Sequence, residues 1–231
     1  MGDKMRRIKK ITATTLVCIA IIAIYIVFVN INSVNMTTRQ KILKAFYPAF
    51  IWANKIMGTN TSILKNESAQ PAVPFYSLQT ALSSGGSFDF SGLKGKKVLI
   101  VNTASDCGYT NQYDDLEKLY EQYNGHIEIL AFPANDFKEQ EKGDDANIAA
   151  FCKKNYGVTF PLMAKSTVIK SVDQNPVFVW LTNPASNGWN SKAPVWNFSK
   201  YLVNEKGQLT HYFAPAISPL SKEVITAISG K

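Results

Sequence analysis

The chain begins with one continuous apolar segment that carries no charge from Ile11 to Val29. In a helix that rises about 1.5 Å per residue, a segment of this length nearly matches a hydrocarbon core about 30 Å thick. A cleaved signal peptide can start in the same way. Because the segment is longer than a typical signal-peptide core and no small-x-small site follows it closely, we favour an uncleaved transmembrane anchor over residues 11–29.

The charges around this segment predict its orientation. The formal net charge of the chain is +8, and Lys and Arg are concentrated in residues 1–10. Basic residues beside a membrane span generally stay on the cytoplasmic side. We therefore expect residues 1–10 to form a cytoplasmic tail and the rest of the chain after the anchor to lie in the periplasm or an organelle lumen. No nucleic-acid-binding motif accompanies these charges, so we expect them to face lipid headgroups.

The juxtamembrane segment, residues 30–74, allows two interpretations. Residues 39–57 combine basic and aromatic side chains directly after the anchor. Such a composition is typical of a helix that lies on the bilayer and equally of a stalk with Trp and Tyr at headgroup level. Pro48 disfavours a continuous helix, so both interpretations stay open. A polar linker over about 58–74 then leads to a domain that we place at residues 75–231.

From residue 75 the chain alternates strand patterns with helix patterns. Apolar runs rich in β-branched residues indicate strands, and Tyr and Leu at helical spacing indicate helices. We predict strands over 97–101, 127–132 and 177–181, helices over 111–123, 147–155 and 219–228, and hairpins over 77–90 and 201–213. This order predicts an α/β thioredoxin-like fold, in which a central mixed sheet is flanked by helices.

The composition excludes several kinds of active site. The chain has 3 cysteines, which is too few for a disulfide-dense scaffold. It has 2 histidines, and neither lies at a metal-ligand spacing. The sequence contains no Gly-x-Ser-x-Gly turn for a serine triad and no Cys-x-x-Cys motif for a thioredoxin-type oxidoreductase. We therefore expect no metal site.

Cys107 is the clearest candidate for chemistry. A predicted buried strand ends in a polar loop, and Cys107 follows this loop just before a predicted helix. That position exposes a thiol to free backbone N–H groups and to the positive end of the helix dipole. Both favour the thiolate, which is the nucleophilic form. A small cysteine packed in the core is the alternative interpretation of the same position.

Four separated sequence blocks resemble those of the glutathione peroxidase family. They are VNTASDCGYT at 101–110, FPANDF followed by QE at 132–141, NYGVTFP at 155–161, and VWNF followed by YLV at 195–203. The blocks occur in the family's order over nearly the whole region from 75 to 228. The resemblance implies a peroxidase that reduces hydrogen peroxide and organic or lipid hydroperoxides. It implies no cofactor other than an external thiol reductant.

The resemblance further implies a catalytic tetrad of Cys107, Gln140, Trp196 and Asn197. Neutral amide and indole N–H groups stabilise a thiolate and the leaving oxygen of a peroxide without adding a titrating group. Without the resemblance, Trp196 would be read as a core residue and the two amides as surface residues.

The resemblance also assigns a role to Cys152. As in the thioredoxin-dependent members of the family, this thiol would attack the Cys107 sulfenic acid and form a disulfide. A thioredoxin-like protein, or as second choice glutathione, would then reduce the disulfide. Because Cys152 lies in a predicted helix, we expect that helix to move or unwind for the sulfurs to meet. A cysteine packed on the helix face is the alternative. We interpret Cys18, in the anchor, as a small apolar residue.

The chain departs from the family pattern around Gln140. Ala134 stands where the family often has a cysteine, and Asp136 replaces a common glutamine. Lys138 and Lys142 replace the usual Gly and Pro. These changes leave the tetrad intact but alter the charge and the loop geometry beside it. The region between the third and fourth blocks lacks the insertion that tetrameric members use for assembly, so we expect a monomer.

A second function would use the same two cysteines. A membrane-tethered peroxide sensor or disulfide relay would pass the oxidation of Cys107 and Cys152 on to a partner protein. The sequence does not separate this function from a peroxidase, whereas multiple turnover with a thioredoxin would.

Overall fold

The N-terminal apolar segment forms one long helix. The computed structural model describes residues 2–230, and the side chains from residue 11 onward. Helix α1 spans Gly2–Val29, and its part Ile11–Val29 is long and apolar enough to cross a membrane, with none of it buried against the rest of the chain. A membrane anchor and a signal sequence both fit such a helix. The side chains of the predicted basic tail lie outside the described residues.

The juxtamembrane segment forms a second, continuous helix, α2, which spans Thr38–Met57. A capping box at Thr37 begins it, and Gly58 ends it in the left-handed conformation. Pro48 lies inside the helix, so the expectation that it would disfavour a continuous helix is wrong. An internal proline costs about 3 kcal/mol. Packing offsets this cost, because Tyr47 is buried on the domain side of α2 and Ala45 is buried where α1 meets α2.

The domain is built on a five-stranded mixed sheet. Its strands, in the spatial order β1-β7-β6-β4-β5, are β1 (Ile63–Lys65), β7 (Leu209–Phe213), β6 (Lys200–Val203), β4 (Lys97–Thr103) and β5 (Ile127–Pro133). Strands β4 and β5 are parallel, and the other neighbours are antiparallel. A separate antiparallel hairpin consists of β2 (Gln79–Ala81) and β3 (Ser87–Asp89). The predicted linker 58–74 therefore contributes a strand, β1, to the sheet.

Five further helices surround the sheet, and two apolar cores lie on its opposite faces. The helices are α3 (Gln112–Gln122), α4 (Asp145–Tyr156), α5 (Pro176–Leu181), α6 (Pro184–Asn187) and α7 (Lys222–Ser229). Successive side chains of a strand point to opposite faces. In β4, Leu99 and Val101 accordingly join the core that contains Cys107, whereas Val98 and Ile100 join the other core. The predicted thioredoxin-like layers are confirmed in this arrangement.

The segment 177–181 forms helix α5, so the predicted strand there is wrong. Its β-branched and aromatic residues favour a strand by propensity. The decisive local signal is Asn175, whose side chain accepts a hydrogen bond from the Val177 backbone N–H at 2.9 Å, followed by Pro176 at the first helical position. Because α5 is short and consists of apolar residues, four of them buried, its sequence shows no helical periodicity.

The topology brings three loops to one edge of the sheet. The Cys107 loop follows β4 and the Gln140 loop follows β5, and these strands run in parallel from Lys97↔Ile127 to Thr103↔Pro133. Strand β6 runs antiparallel to β4, with Val101 opposite Lys200, so the loop that precedes β6 lies at the same edge. Loops at the carboxyl ends of parallel strands are the usual location of ligand sites in open α/β sheets.

We expect Phe178→Ala to lower the free energy of unfolding by about 3–5 kcal/mol, because it leaves a cavity in the core. Phe178 is fully buried and packs edge-on against Phe132. Val179→Ala is the matched control on the same helix: Val179 is 43 % exposed, and we expect a change below about 0.5 kcal/mol. Urea denaturation of the full chain in detergent measures both. Equal effects would contradict the placement of Phe178 in the core and of Val179 at the surface.

Candidate active site

Cys107 lies in a tight loop between β4 and α3. Its backbone N–H donates to Thr110 Oγ1 at 3.0 Å, and the same hydroxyl donates to the Ala104 carbonyl at 2.8 Å. The backbone N–H of Tyr109 lies 3.4 Å from the Cys107 sulfur and donates to it. The loop therefore fixes the sulfur and supplies one of the backbone donors that the strand-to-helix position predicts.

The Cys107 thiol is buried, and only 1 % of Cys107 is exposed. Burial raises the pKa of the thiol to about 11, although the Tyr109 N–H, Trp196, Asn197 and the Arg39 charge all lower it. The expectation that this position favours the thiolate took account of the donors but not of helix α2, which packs over the loop. Desolvation of the thiolate thus outweighs the surrounding donors in this conformation.

Gln140 reaches the site from the loop after β5. Lys138 and Glu139 both adopt left-handed conformations, with φ of 52° and 51°, in the turn that leads to it. Glycine adopts this conformation more readily, so the Lys at 138 adds backbone strain where the family usually has Gly. The Gln140 carbonyl accepts a hydrogen bond from the Asp106 N–H at 3.0 Å, which ties this loop to the Cys107 loop.

Trp196 and Asn197 approach from the loop that precedes β6. Both side chains lie close enough to the Cys107 sulfur to lower the pKa of its thiol. The Asn197 amide nitrogen also donates to Gln140 Oε1 at 3.1 Å. The structure therefore brings all four predicted residues together at the sheet edge. Among the described residues, Asn197 Oδ1 is buried without a hydrogen-bond partner. It is therefore free to accept a hydrogen bond from a ligand.

Asn102, at the end of β4, holds the loop of Trp196 in place. Its side-chain nitrogen donates to the Trp196 carbonyl at 3.2 Å, and its Oδ1 accepts from the Ser199 N–H at 3.0 Å. Between them Phe198 has a φ of 67°, a strained value for an aromatic residue. We did not assign a role to Asn102 from the sequence. The feature of the sequence that could have indicated a role for Asn102 is its position in the block 101–110, which also contains Cys107.

Glu141 is a second residue that the sequence analysis left without a role. It is buried, and its Oε2 accepts hydrogen bonds from both the N–H and the Oγ of Ser105, at 2.8 and 2.9 Å. Burial raises the pKa of the Glu141 carboxyl to about 7. Through these two hydrogen bonds the Glu141 carboxyl holds Ser105, two residues before Cys107 in the same loop. The role of Glu141 depends on its burial and on these contacts, which only the folded structure shows.

Cys152 lies just before the last turn of α4 and is fully buried as a free thiol, like Cys107. Both sulfurs belong to the apolar core on the same face of the sheet. Burial, together with the nearby Glu141 carboxylate, raises the pKa of the Cys152 thiol to about 12. The Cys152 carbonyl accepts hydrogen bonds from the cap residues Gly157 and Val158. A Cys152 that leaves the core must break these bonds, so the last turn of α4 must open.

Helix α2 covers the Cys107 loop from the membrane-anchor side. Arg39 forms an ion pair with Asp106 and donates to its carbonyl at 2.8 Å, and Gln40 donates to the Ser105 carbonyl at 3.0 Å. The Phe50 ring lies 4.9 Å from the Tyr109 ring. With α2 in place, Cys107 borders a cavity of only about 10 Å³, which holds one water-sized molecule.

The segment before α2 contacts the helix that carries Cys152. Asn155, one turn after Cys152, accepts a hydrogen bond from the Val34 N–H at 2.8 Å and donates to the Val34 carbonyl at 3.0 Å. The juxtamembrane region therefore touches both cysteine-bearing elements. A larger cavity of about 250 Å³ lies between Thr37, Gln40 and the Gln140 loop.

We expect alkylation of Cys107 by iodoacetamide to accelerate about tenfold per pH unit between about pH 7 and 10, because only the thiolate reacts. The raised pKa of about 11 keeps the thiolate a minor species throughout this range. If the Cys107 loop must open before iodoacetamide enters, the opening changes the alkylation rate by the same factor at each pH and leaves the pH dependence unchanged. Peptide mass analysis of the full-length Cys152→Ser chain measures the rate. A plateau near neutral pH would show that the donors outweigh burial.

The sequence pattern of the glutathione peroxidase family matches residues 75–182. A glutathione peroxidase-like peroxiredoxin, GPX5 of Chlamydomonas reinhardtii, is 47 % identical over 148 residues, which cover 64 % of this chain and 90 % of that protein. The glutathione peroxidase-like peroxiredoxin HYR1 of Saccharomyces cerevisiae is 43 % identical over 148 residues, with the same coverage of each chain. These similarities cover nearly the whole length of the relatives.

Solved structures agree with these similarities. The crystal structure of the protein called Trgpx, in its apo form, is 31 % identical with a TM-score of 0.53, and the match covers 68 % of this chain and 97 % of that one. A DsbF homologue from Corynebacterium diphtheriae, 14 % identical with a TM-score of 0.52, matches 73 % of this chain and 92 % of its own, and shares the thioredoxin-like fold alone. Sequence, fold and the assembled tetrad lead to one assignment: the chain belongs to the glutathione peroxidase family.

Proposed function

We propose that the chain is a membrane-tethered thiol peroxidase in which Cys107 attacks the hydroperoxide and Cys152 resolves the product. The observation that carries this proposal is a group of three neutral hydrogen-bonding side chains beside one cysteine. Trp196 and Asn197 lie close to the Cys107 sulfur, and Gln140 accepts a hydrogen bond from Asn197. Such donors stabilise the charge that develops on sulfur and oxygen during the reaction.

In the first step the Cys107 thiolate attacks the terminal peroxide oxygen. A sulfur–oxygen bond forms, the oxygen–oxygen bond breaks, and the peroxide is reduced by two electrons while the sulfur becomes a sulfenic acid. The leaving alkoxide, or hydroxide in the case of hydrogen peroxide, takes a proton. The unpartnered Asn197 Oδ1 accepts the hydroperoxide O–H, and the amide and indole N–H groups stabilise the leaving oxygen.

In the second step the Cys152 sulfur attacks the Cys107 sulfenic acid. A disulfide forms, the sulfur–oxygen bond breaks, and the hydroxyl group leaves as water with the proton of the Cys152 thiol. The buried position of Cys152 in α4 requires the last turn of this helix to open first. An external dithiol then reduces the disulfide, and is itself oxidised to a disulfide.

A thioredoxin-like protein is the reductant that this cycle favours, because it reduces an intramolecular disulfide by dithiol exchange. Glutathione is the second choice. We place the basic N-terminus in the cytoplasm and the peroxidase domain outside it, with α1 as an uncleaved anchor, on the basis of the charges that precede the span. We also propose that the domain works as a monomer, without a metal or an organic cofactor.

The substrates we propose are hydrogen peroxide and organic or lipid hydroperoxides. The small cavity beside Cys107 has room for a water-sized molecule, so larger hydroperoxides require the contacts of α2 on the loop to loosen. Phe50 and Arg39 are the contacts that would have to change.

We expect Trp196→Phe to slow the oxidation of Cys107 by hydrogen peroxide by about 10²–10³, the usual effect of removing one donor from a site of developing charge. The substitution removes the indole N–H but keeps an aromatic ring against Phe137. Stopped-flow oxidation of the full chain in detergent measures the rate. Trp189→Phe, which removes an indole N–H that bonds the Leu209 carbonyl, is the control and should leave the rate unchanged. Equal rates for all three chains would remove Trp196 from the mechanism.

Turnover with a thioredoxin, thioredoxin reductase and NADPH tests the proposed function itself. We expect the wild-type chain to consume NADPH continuously with added peroxide, and both Cys107→Ser and Cys152→Ser to be inactive in this cycle. The Cys152→Ser chain should still react once with peroxide, because Cys107 remains. A wild-type chain that is oxidised once and is not reduced by thioredoxin or glutathione would instead support a peroxide sensor or disulfide relay.

A further inference from the structure

Helix α2 has two opposite faces, and only one of them is used by the domain. Gln40, Tyr47 and Phe50 contact the domain, as described above. On the other side, apolar residues recur at intervals of four and three, the spacing of one helix face. They are Ile42, Phe46, Ala49, Ala53 and Ile56, and all but the partly exposed Ala53 are exposed. Trp52 and Met57 flank this face, and both are about two-thirds exposed.

This apolar face is too extensive for a surface in contact with water. Single exposed apolar side chains are common, but a contiguous row along a whole helix marks an interaction surface. Within the described part of the chain, the large side chains of the row keep much of their surface uncovered: Ile42 and Phe46 remain 43 % exposed, and Ile56 65 %. The face therefore needs a partner, and the position of α2 indicates which partner.

Contacts with α1 place α2 at the edge of the membrane span. The Tyr25 hydroxyl donates to the Ala45 carbonyl at 3.1 Å, and the Asn30 side chain donates to the Lys41 carbonyl at 3.1 Å. Tyr25 precedes the end of α1 at Val29 by four residues, which is about 6 Å along a helix axis. Amphipathic helices that lie on a bilayer are buried by about 5–10 Å at the boundary between headgroups and acyl chains. If α1 crosses the bilayer, α2 lies at this depth.

We propose that the free apolar face of α2 is a lipid-binding surface, which lies in the boundary between headgroups and acyl chains of the bilayer that α1 crosses. The apolar surface of α1 is likewise unburied along the whole span. The same helix holds the Cys107 loop through Arg39 and Gln40 on its other side. A helix with its side chains is about 10–12 Å thick. In this arrangement the Cys107 loop therefore lies one helix diameter from the lipid.

Lipid is favoured over a second copy of the chain because α1 fixes the depth of α2. An interface between two copies would require α2 to leave the bilayer boundary or to pair within it. If the α2 helices of two copies paired, protein and not lipid would contact Trp52 and Ile56, and a lipid-bound quencher distinguishes the two cases.

Trp52 provides the test, because it lies beside the proposed surface and is largely exposed. The full chain is reconstituted in phosphatidylcholine vesicles whose acyl chains carry bromine, a contact quencher, either near the headgroups or near the bilayer centre. The difference in emission between the wild-type chain and Trp52→Phe isolates Trp52 from Trp180, Trp189 and Trp196. We expect most of the Trp52 emission to be lost with bromine near the headgroups and a smaller loss with bromine near the centre.

A variant with Ile42→Ser, Phe46→Ser and Ile56→Ser tests the face directly. These residues have no contact in the proposed catalytic machinery, and α1 still anchors the chain. We expect the loss of Trp52 emission to become much smaller in this variant. No loss in the wild-type chain from either lipid would overturn the proposal, as would a stronger loss from bromine near the centre. An unquenched Trp52 in a chain that cross-links as a dimer would assign the face to a second copy. None of these readouts depends on peroxidase activity.

Discussion

The candidate site depends on the hydrogen bonds that Asn102, at the end of β4, makes with the backbone of the loop before β6. The Asn102 amide binds the backbone on both sides of Asn197, and the Phe198 N–H donates to the Asn102 carbonyl at 2.6 Å. Cys107 follows Asn102 by five residues, in the loop after β4. The end of β4 thus positions the nucleophile together with Trp196 and Asn197. The pairing of β4 with β5 positions the loop that carries Gln140.

A second constraint acts on the Cys107 sulfur from outside the sheet. Helix α2 buries the loop, and this desolvation raises the pKa of the thiol to about 11 despite the donors around it. The same helix brings Arg39, whose charge lowers that pKa. Helix α2 thus has two opposite effects on the pKa of one thiol, and burial is the larger of the two.

The sequence predicted the tetrad and most of the fold, because short motifs and periodicity are local properties. Cys107, Gln140, Trp196 and Asn197 lie in three separate motifs, and the structure brings them together. The sequence left the burial of Cys107 open, because helix α2, which packs over its loop, is distant in the chain. Helix α5 was missed because it consists of apolar residues, four of them buried, and strand β1 was missed because it is only three residues long. Asn102 and Glu141 act through contacts that only the folded chain creates.

The proposed redox pair of Cys107 and Cys152 is best tested by peptide mass analysis after a single equivalent of hydrogen peroxide. The full-length chain is quenched in acid at successive times and digested without reduction. We expect a peptide linked through Cys107 and Cys152 in the wild-type chain. In the Cys152→Ser chain we expect a Cys107 sulfenic acid that a nucleophilic probe can trap. An unreacted Cys107, or a stable sulfenic acid with Cys152 still reduced in the wild-type chain, would contradict the proposed pair.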